Sequence, residues 1–390
     1  MKLIKHLILL SYISVASVSA VMITPALAQI QQGFGLKAHD VQWMISIFLA
    51  GYVIGQLVYG PIANAYGRLN ALRLGMIINI VGILICLVSF VLNSYLLLLL
   101  GRLISALGAA SGLVCTFILI NDYFSPAKAK KMIAFALVSF TLGIGIAVTI
   151  GGVITEYLSW IFCFWALLLH AVLILISTFL FEEPLATKNA TSLGNLITSY
   201  TKAIQNKYLL GYSIIVGLCA SVSYCYVAIA PLTAHFDLHI NPSVYGYYNL
   251  FNMLGTFISG FLASYLLKRF TIRKLISTAL VMLLLCLFSL TLMHSLFPNT
   301  LWFFITSMFL YLSNGLIFPA ASFVASNAIQ DKASAASMMS FIYMTIATLS
   351  VIFMGLLPFY SIMAYVTTIT ILVVLSFILV SRLDIRFLQI

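Results

Sequence analysis

Acidic side chains are the residues most able to do chemistry here, because a carboxylate can carry a proton or act as a general base. The 390-residue chain has only eight, and all lie in polar segments or near the ends of apolar runs. They are Asp40, Asp122, Glu156, Glu182, Glu183, Asp237, Asp331 and Asp384. The six histidines are scattered, and no H-E-x-x-H, P-loop or nucleophile-elbow motif occurs. We therefore predict that the protein is not an enzyme and has no cofactor or bound metal.

Two titratable residues are candidates for proton coupling. His170 lies near the centre of an apolar run, and the reference pKa of histidine, near 6.5, suits proton exchange. Glu156 lies at the end of the preceding run. A structural, hydrogen-bonded histidine remains the alternative for His170.

Arg102 stands inside an apolar run. An arginine in hydrocarbon costs several kcal/mol unless it faces protein or water, so it is a candidate for substrate binding. The alternative is that the Arg102 side chain extends to the nearby outer interface of the membrane and keeps its charge in water. Other polar or aromatic residues inside apolar runs are further candidates, of which we expect fewer than half to touch ligand: Tyr52, Gln56, Asn121, Tyr224, Tyr226, Tyr248, Asn249, Asn252 and Asn314. Many aromatics, few acids and Arg102 favour a neutral or anionic amphiphile over a cationic drug.

The composition indicates that these residues are carried by a membrane protein. Apolar residues make up 63% of the chain and charged residues 7%, against roughly 45–50% and 25% in soluble domains. The net charge of +11 does not indicate a nucleic-acid partner, because no segment could form a soluble basic module. The six cysteines have neither disulfide nor zinc spacing, and all lie in apolar segments.

Apolar runs between polar segments predict twelve membrane-spanning helices, since a lone segment in hydrocarbon must satisfy its backbone groups internally. The predicted spans are 7–28, 41–62, 73–92, 96–121, 132–156, 159–180, 209–233, 243–267, 274–293, 300–325, 335–357 and 361–381. All 19 Lys and Arg residues except Lys37 and Arg102 then fall in cytoplasmic segments, so both termini are predicted to be cytoplasmic. A cleaved signal ending near Ala26-Leu27-Ala28 is the alternative for residues 1–28.

The longest polar stretch divides the chain into two halves of six spans. We predict an N-terminal bundle at 1–180, a cytoplasmic linker at 181–208 and a C-terminal bundle at 209–390. Gly55 and Gly60 recur as Gly255 and Gly260, which favours a repeated six-helix unit. Repeated halves around a central cavity are typical of alternating-access carriers.

The loop Gly60-Pro-Ile-Ala-Asn64-Ala-Tyr-Gly67-Arg68 resembles the G-x-x-x-D-R-x-G-R-K signature of the major facilitator superfamily. The resemblance implies a cytoplasmic turn that helps to latch the outward-open state. Asp122, at the cytoplasmic end of the fourth span, could pair with Arg68 or Arg73 to close the inner gate, and an ordinary solvated helix end is the alternative. The signature aspartate is Asn64 here, so the charge–dipole contribution of about 0.3–1 kcal/mol is absent. The predicted gating residues are Gly60, Asn64, Gly67, Arg68, Asp122, Gly151 and Gly152.

Two other segments, in the fifth and the first span, resemble those of the twelve-helix drug exporters of the Bcr/CflA-like branch. The fifth span ends in Gly151-Gly152, as in the exporter signature G-x-x-x-G-P-x-x-G-G, although Ala147-Val148 replaces Gly-Pro. The first span, around Thr24-Pro25-Ala-Leu, is similar to the exporters' D-x-x-x-P-A-L-P but lacks its acid.

The resemblance implies a secondary active transporter of a small organic molecule in the inner membrane, and we expect proton-coupled efflux by a monomer. Uptake of a metabolite or a metal chelate such as a siderophore is the first alternative. A non-transporting receptor or regulator on the same fold is the second.

Overall fold

The computed structural model describes residues 3–184, 204–329, 332–358 and 362–383, and within them the fold is entirely helical. Most of the predicted linker, at 185–203, lies outside the described residues. The predicted all-α membrane fold is confirmed.

The helices of the first half follow the predicted spans closely. They are α1 (Leu3–Ser11), α2 (Ser14–Val21), α3 (Leu27–Gly33), α4 (Ala38–Val41), α5 (Trp43–Tyr66), α6 (Arg68–Val91), α7 (Tyr95–Tyr123), α8 (Pro126–Tyr157) and α9 (Ile161–Ser177). A 3₁₀ turn at Thr24–Ala26 separates α2 from α3, and Pro25 lies within it. The first span is therefore a broken helix, because proline cannot donate a backbone hydrogen bond.

The second half has a similar series. Its helices are α10 (Lys207–Phe236), α11 (Pro242–Tyr248), α12 (Leu250–Leu266), α13 (Ile272–Leu296), α14 (Thr300–Ser326), α15 (Lys332–Leu356) and α16 (Ile362–Arg382). The eighth predicted span is divided between α11 and α12. Among the described residues, ten helical segments are long and apolar enough to cross a membrane, and the fifth span contributes the shorter apolar stretch Gly143–Tyr157.

The contacts divide the chain into two compact units. Unit 1 contains Met1–Leu193 and Pro242–Gly246, and unit 2 contains Gly194–Asn241 and Tyr247–Ile390. The predicted boundaries of the two bundles and the linker remain a prediction.

Glycines let helices approach closely in both units. A Cβ on Gly55 in α5 would lie 2.7 Å from the carbonyl oxygen of Leu107 in α7. In unit 2, a Cβ on Gly255 in α12 would overlap the carbonyl oxygen of Met308 in α14. Small residues at helix interfaces promote van der Waals packing where no hydrophobic force drives association. The recurring glycine thus makes the same kind of contact in each unit.

Candidate functional site

An ionic network joins three helix ends of unit 1 at the α5–α6 turn. Arg68 Nε lies 2.9 Å from Asp122 Oδ2, at the end of α7. Arg68 Nη1 also donates to the Ala63 carbonyl at 2.9 Å and to Asn64 Oδ1 at 3.0 Å. The structure therefore brings together Arg68, Asp122 and Asn64, three of the residues predicted for gating.

Glu183 completes this network, although the sequence placed it in a solvated linker. Its Oε1 accepts from the backbone N–H of Arg68 and its Oε2 from that of Leu69, both at 2.9 Å. The carboxylate thus caps the start of α6, where the helix dipole favours negative charge. The sequence feature that could have indicated this cap is the acidic pair Glu182-Glu183, which directly follows an apolar run.

Gly67 is required by both its backbone conformation and this cap. Its φ is +111°, a region that residues with a Cβ rarely adopt. A Cβ there would also lie 2.7 Å from Glu183 Oε2. By contrast, a Cβ on Gly60 would meet nothing within 4 Å, so the packing gives no reason for glycine at that position.

Arg102 binds the end of α2 rather than facing solvent, and only 1% of the residue is exposed. Its Nη1 donates to the Ser19 carbonyl at 2.7 Å and its Nη2 to the Ala20 carbonyl at 3.4 Å. Its Nε donates to the Met44 carbonyl at 3.4 Å, and the Phe48 ring lies 4.1 Å from the guanidinium carbon.

These bonds satisfy the backbone where α2 ends inside the protein. The last four carbonyls of a helix have no partner within it. Here Val18 accepts from Met22 N, Ser19 and Ala20 accept from Arg102, and Val21 accepts from the hydroxyl of Thr24. Arg102 is therefore the cap of the broken first span, with its cation at the negative end of the helix dipole.

Gly151 of α8 packs on the same break. A Cβ on Gly151 would overlap the carbonyl oxygen of Met22, and a Cβ on Gly152 would overlap that of Pro242. One turn further along α8, Gln29 donates its amide to the Thr155 carbonyl at 3.2 Å. The two α8 glycines predicted for gating, Gly151 and Gly152, are therefore close-packed against backbone.

The two proton-coupling candidates lie in different surroundings. Glu156 Oε2 accepts from the backbone N–H of Ser243 at 3.0 Å and from its hydroxyl at 2.5 Å, at the start of α11. His170 Nε2 lies 3.2 Å from the Ser14 hydroxyl. Glu156 is partly exposed and fixed by two hydrogen bonds, whereas His170 has one neutral partner.

A polar cluster lies among the aromatic rings of unit 2. Asn252 donates to Asn249 Oδ1 at 2.8 Å and accepts from the Ser307 hydroxyl at 2.6 Å. The Tyr226 hydroxyl lies beside Asn252 and Ser307 but is buried without a hydrogen-bond partner. Tyr248 stacks on Phe304, with ring centroids 4.8 Å apart.

A second polar group in unit 2 surrounds Asn314. Its amide nitrogen donates to the Cys219 carbonyl at 3.1 Å and to the Ser223 hydroxyl at 3.3 Å, and its side-chain oxygen is buried without a partner. The Tyr311 hydroxyl lies beside Ser223, and the ring of Tyr311 lies 5.5 Å from that of Tyr226. Tyr311, Ser223 and Ser307 were missed, because isolated hydroxyl residues are common in apolar helices.

Residues 8–355 match the family model described as Major Facilitator Superfamily. The chain belongs to the major facilitator superfamily. It is accordingly a multi-pass protein of the inner membrane.

Curated relatives include two facilitator proteins. The uncharacterized MFS-type transporter YdgK of Bacillus subtilis (strain 168) is 24% identical over 269 residues, which are 67% of this chain and 66% of YdgK. The quinolone resistance protein NorB of Staphylococcus aureus (strain JH9) is 30% identical over 144 residues, which are 37% of this chain and 29% of NorB. The chain therefore matches less than two thirds of the length of each.

Solved structures show the same fold at low identity. A D-xylose–proton symporter has a TM-score of 0.78 and 13% identity, with 96% of each chain covered. A bacterial homologue of the human lysosomal transporter Spinster, facing inward and unoccupied, has a TM-score of 0.73 and 16% identity, with 97% of this chain and 95% of that chain covered.

Four candidates of this facilitator remain. Asn121 is exposed and donates to the Phe117 carbonyl at 3.0 Å. Tyr52 is buried in α5, and the nearby amide nitrogen of Gln56 is buried without a hydrogen-bond partner. Tyr224 is half-buried in α10.

Proposed function

We propose that this facilitator exports small amphiphilic organic molecules in exchange for protons by alternating access. The packing of Gly151 on the Met22 carbonyl is the observation that carries the proposal. Two glycines retained from the exporter-like signature, Gly151 and Gly152, lie against backbone, at the break in the first span and at Pro242. The 30% identity to a segment of NorB, whose name denotes quinolone resistance, also favours export.

Arg68, Asp122 and Glu183 form the proposed inner gate. A charge-assisted network of this kind is short and directional, so breaking it has a free-energy cost that the transport cycle must overcome. Asn64 contributes a neutral bond where the family signature has an acid, which weakens the gate without removing it.

Glu156 is the proposed proton carrier, with His170 as the alternative. Protonation of Glu156 would weaken its bonds to Ser243, because a neutral carboxyl group accepts hydrogen bonds less strongly than a carboxylate. Proton binding would thereby loosen the contact between α8 and the start of α11.

Accumulation of a labelled drug and iron-chelate panel in cells tests the direction. Cells expressing the protein are expected to accumulate less of at least one compound than empty-vector cells, and a protonophore is expected to abolish the difference. Protonophore-sensitive accumulation above the vector level would instead establish uptake. The absence of any exchange of labelled for unlabelled compound across the panel would favour a receptor.

Coupling is tested in proteoliposomes with Glu156→Gln. This variant is expected to lose transport driven by a pH gradient but keep counterflow, which needs no net proton movement. Glu182→Gln, which changes an exposed carboxylate, is the matched control and should retain both activities. If Glu156→Gln keeps gradient-driven transport and His170→Gln loses it, histidine is the carrier.

A further inference from the structure

Charge is almost excluded from the interior of the described spanning helices. If the first two turns and the last turn of each described spanning helix are set aside, Arg102 is the one Lys, Arg, Asp or Glu residue that remains in these helices. In unit 2, Lys207, Arg273 and Arg382 all lie at helix ends.

The guanidinium group of Arg102 is engaged by groups of unit 1 itself. Each of its three guanidinium nitrogens donates to a backbone carbonyl, and the Phe48 ring lies over the group. Because the cation is neutralised by the end of α2 and almost fully buried, the earlier reason for expecting an anionic substrate no longer holds.

The buried polar side-chain atoms that lack partners in the described part of unit 2 are all neutral, and two of them belong to the candidate residues Asn314 and Tyr226. Asn314 must turn its nitrogen toward the Cys219 carbonyl, because only the nitrogen can donate, so its oxygen is left as an acceptor. The Tyr226 hydroxyl is the second such atom. The Tyr311 hydroxyl lies beside Ser223, which accepts from Asn314, and the ring of Tyr311 makes an edge contact with that of Tyr226.

We infer that the transported molecule carries no net charge and presents an N–H or O–H donor to Asn314 Oδ1, with a ring packed on Tyr311. This inference rests on the proposed transport function and narrows its substrate class. An ion bound beside these groups would lose its hydration without gaining a counter-charge, whereas a neutral donor would satisfy an acceptor that is otherwise orphaned.

Equilibrium binding of three labelled probes to the purified full chain tests the inference. The probes share one naphthyl ring and carry a primary amide, a carboxylate or a trimethylammonium group. The wild type is expected to bind the amide at least tenfold more tightly than either ion. Asn314→Asp, which replaces the amide by a carboxylate of similar shape, is expected to raise affinity for the ammonium probe tenfold or more. Asn327→Asp, at the end of the same helix, should leave the ranking unchanged.

Two results of this binding experiment would overturn the inference. Equal or tighter binding of either ion by the wild type would do so, and so would the absence of binding of the amide. Neither result bears on the accumulation experiment, which uses a different panel and tests transport itself. If Asn314→Asp fails to fold, Tyr311→Leu serves instead and should weaken amide binding several-fold, since ring contacts contribute beyond their buried area.

Discussion

Replacing Arg102 with alanine should destabilise the protein because two helix-terminal carbonyls lose their donors. The bond to Ser19, at 2.7 Å, is short and charge-assisted, a class worth about 1.5–3 kcal/mol. The bonds to Ala20 and Met44, both at 3.4 Å, are long, and we assign them about 0.5 kcal/mol each. The expected loss in the free energy of unfolding is therefore about 2.5–4 kcal/mol.

Thermal unfolding in detergent, followed with a thiol-reactive dye, measures this loss. The assay suits the protein because all six cysteines are free and buried in the folded state. Arg102→Lys should show an intermediate melting temperature, because an ammonium group can still reach one carbonyl but cannot form the planar fork. Arg269→Ala, which removes an exposed arginine, is the matched control and should unfold within about 0.5 kcal/mol of the wild type.

A clear result would refute this reasoning. If Arg102→Ala melts with the wild type and the control yet no longer transports, the arginine acts on substrate or proton and does not hold the broken helix. A lower melting temperature, with transport recovered at low temperature, is the outcome expected of a structural cap.

Three further predictions concern other parts of the molecule. Gly151→Val should abolish transport, because the valine side chain would overlap the Met22 carbonyl. The control Gly260→Val should retain transport, because a Cβ at Gly260 would meet nothing within 4 Å. Uptake assays on membrane-inserted protein distinguish the two variants. Glu183→Gln should lower the free energy of unfolding by about 0.3–1 kcal/mol, measured with the same dye, since the cap loses its charge. Burial raises the pKa of Asp237 above its ordinary value of 3.8, so the folded state binds this proton more tightly than the unfolded state does. The stability of the wild type should therefore fall as the pH rises above 3.8. Melting curves recorded across pH should show a smaller fall for Asp237→Asn.

Hydropathy predicted the spanning segments because a bilayer demands long apolar helices with internal hydrogen bonds. A pair between Asp122 and an arginine was also predictable, since opposite charges at neighbouring cytoplasmic helix ends attract, but the sequence did not decide between Arg68 and Arg73. Both inferences depend on local composition, which a single sequence states directly.

Partners distant in sequence or formed by backbone were not predictable. Glu183 meets Arg68 across 115 positions, and its acidic, proline-flanked surroundings are typical of a solvated segment. The carbonyls that hold Arg102 have no side-chain signature. Asn314 and Tyr226 were named as candidates, but the sequence could not show that each has a buried polar atom without a hydrogen-bond partner, because this depends on tertiary packing.

The cap on α6 has a consequence for biosynthesis. Arg68 and Leu69 leave the ribosome more than a hundred residues before Glu183, so their amides must rely on water while α7, α8 and α9 are made and inserted. The last charge of the inner network arrives only after the sixth span. A nascent chain cut short before Glu183 would therefore carry an unfinished turn at α6, a local difference by which membrane quality control could distinguish it from the complete unit.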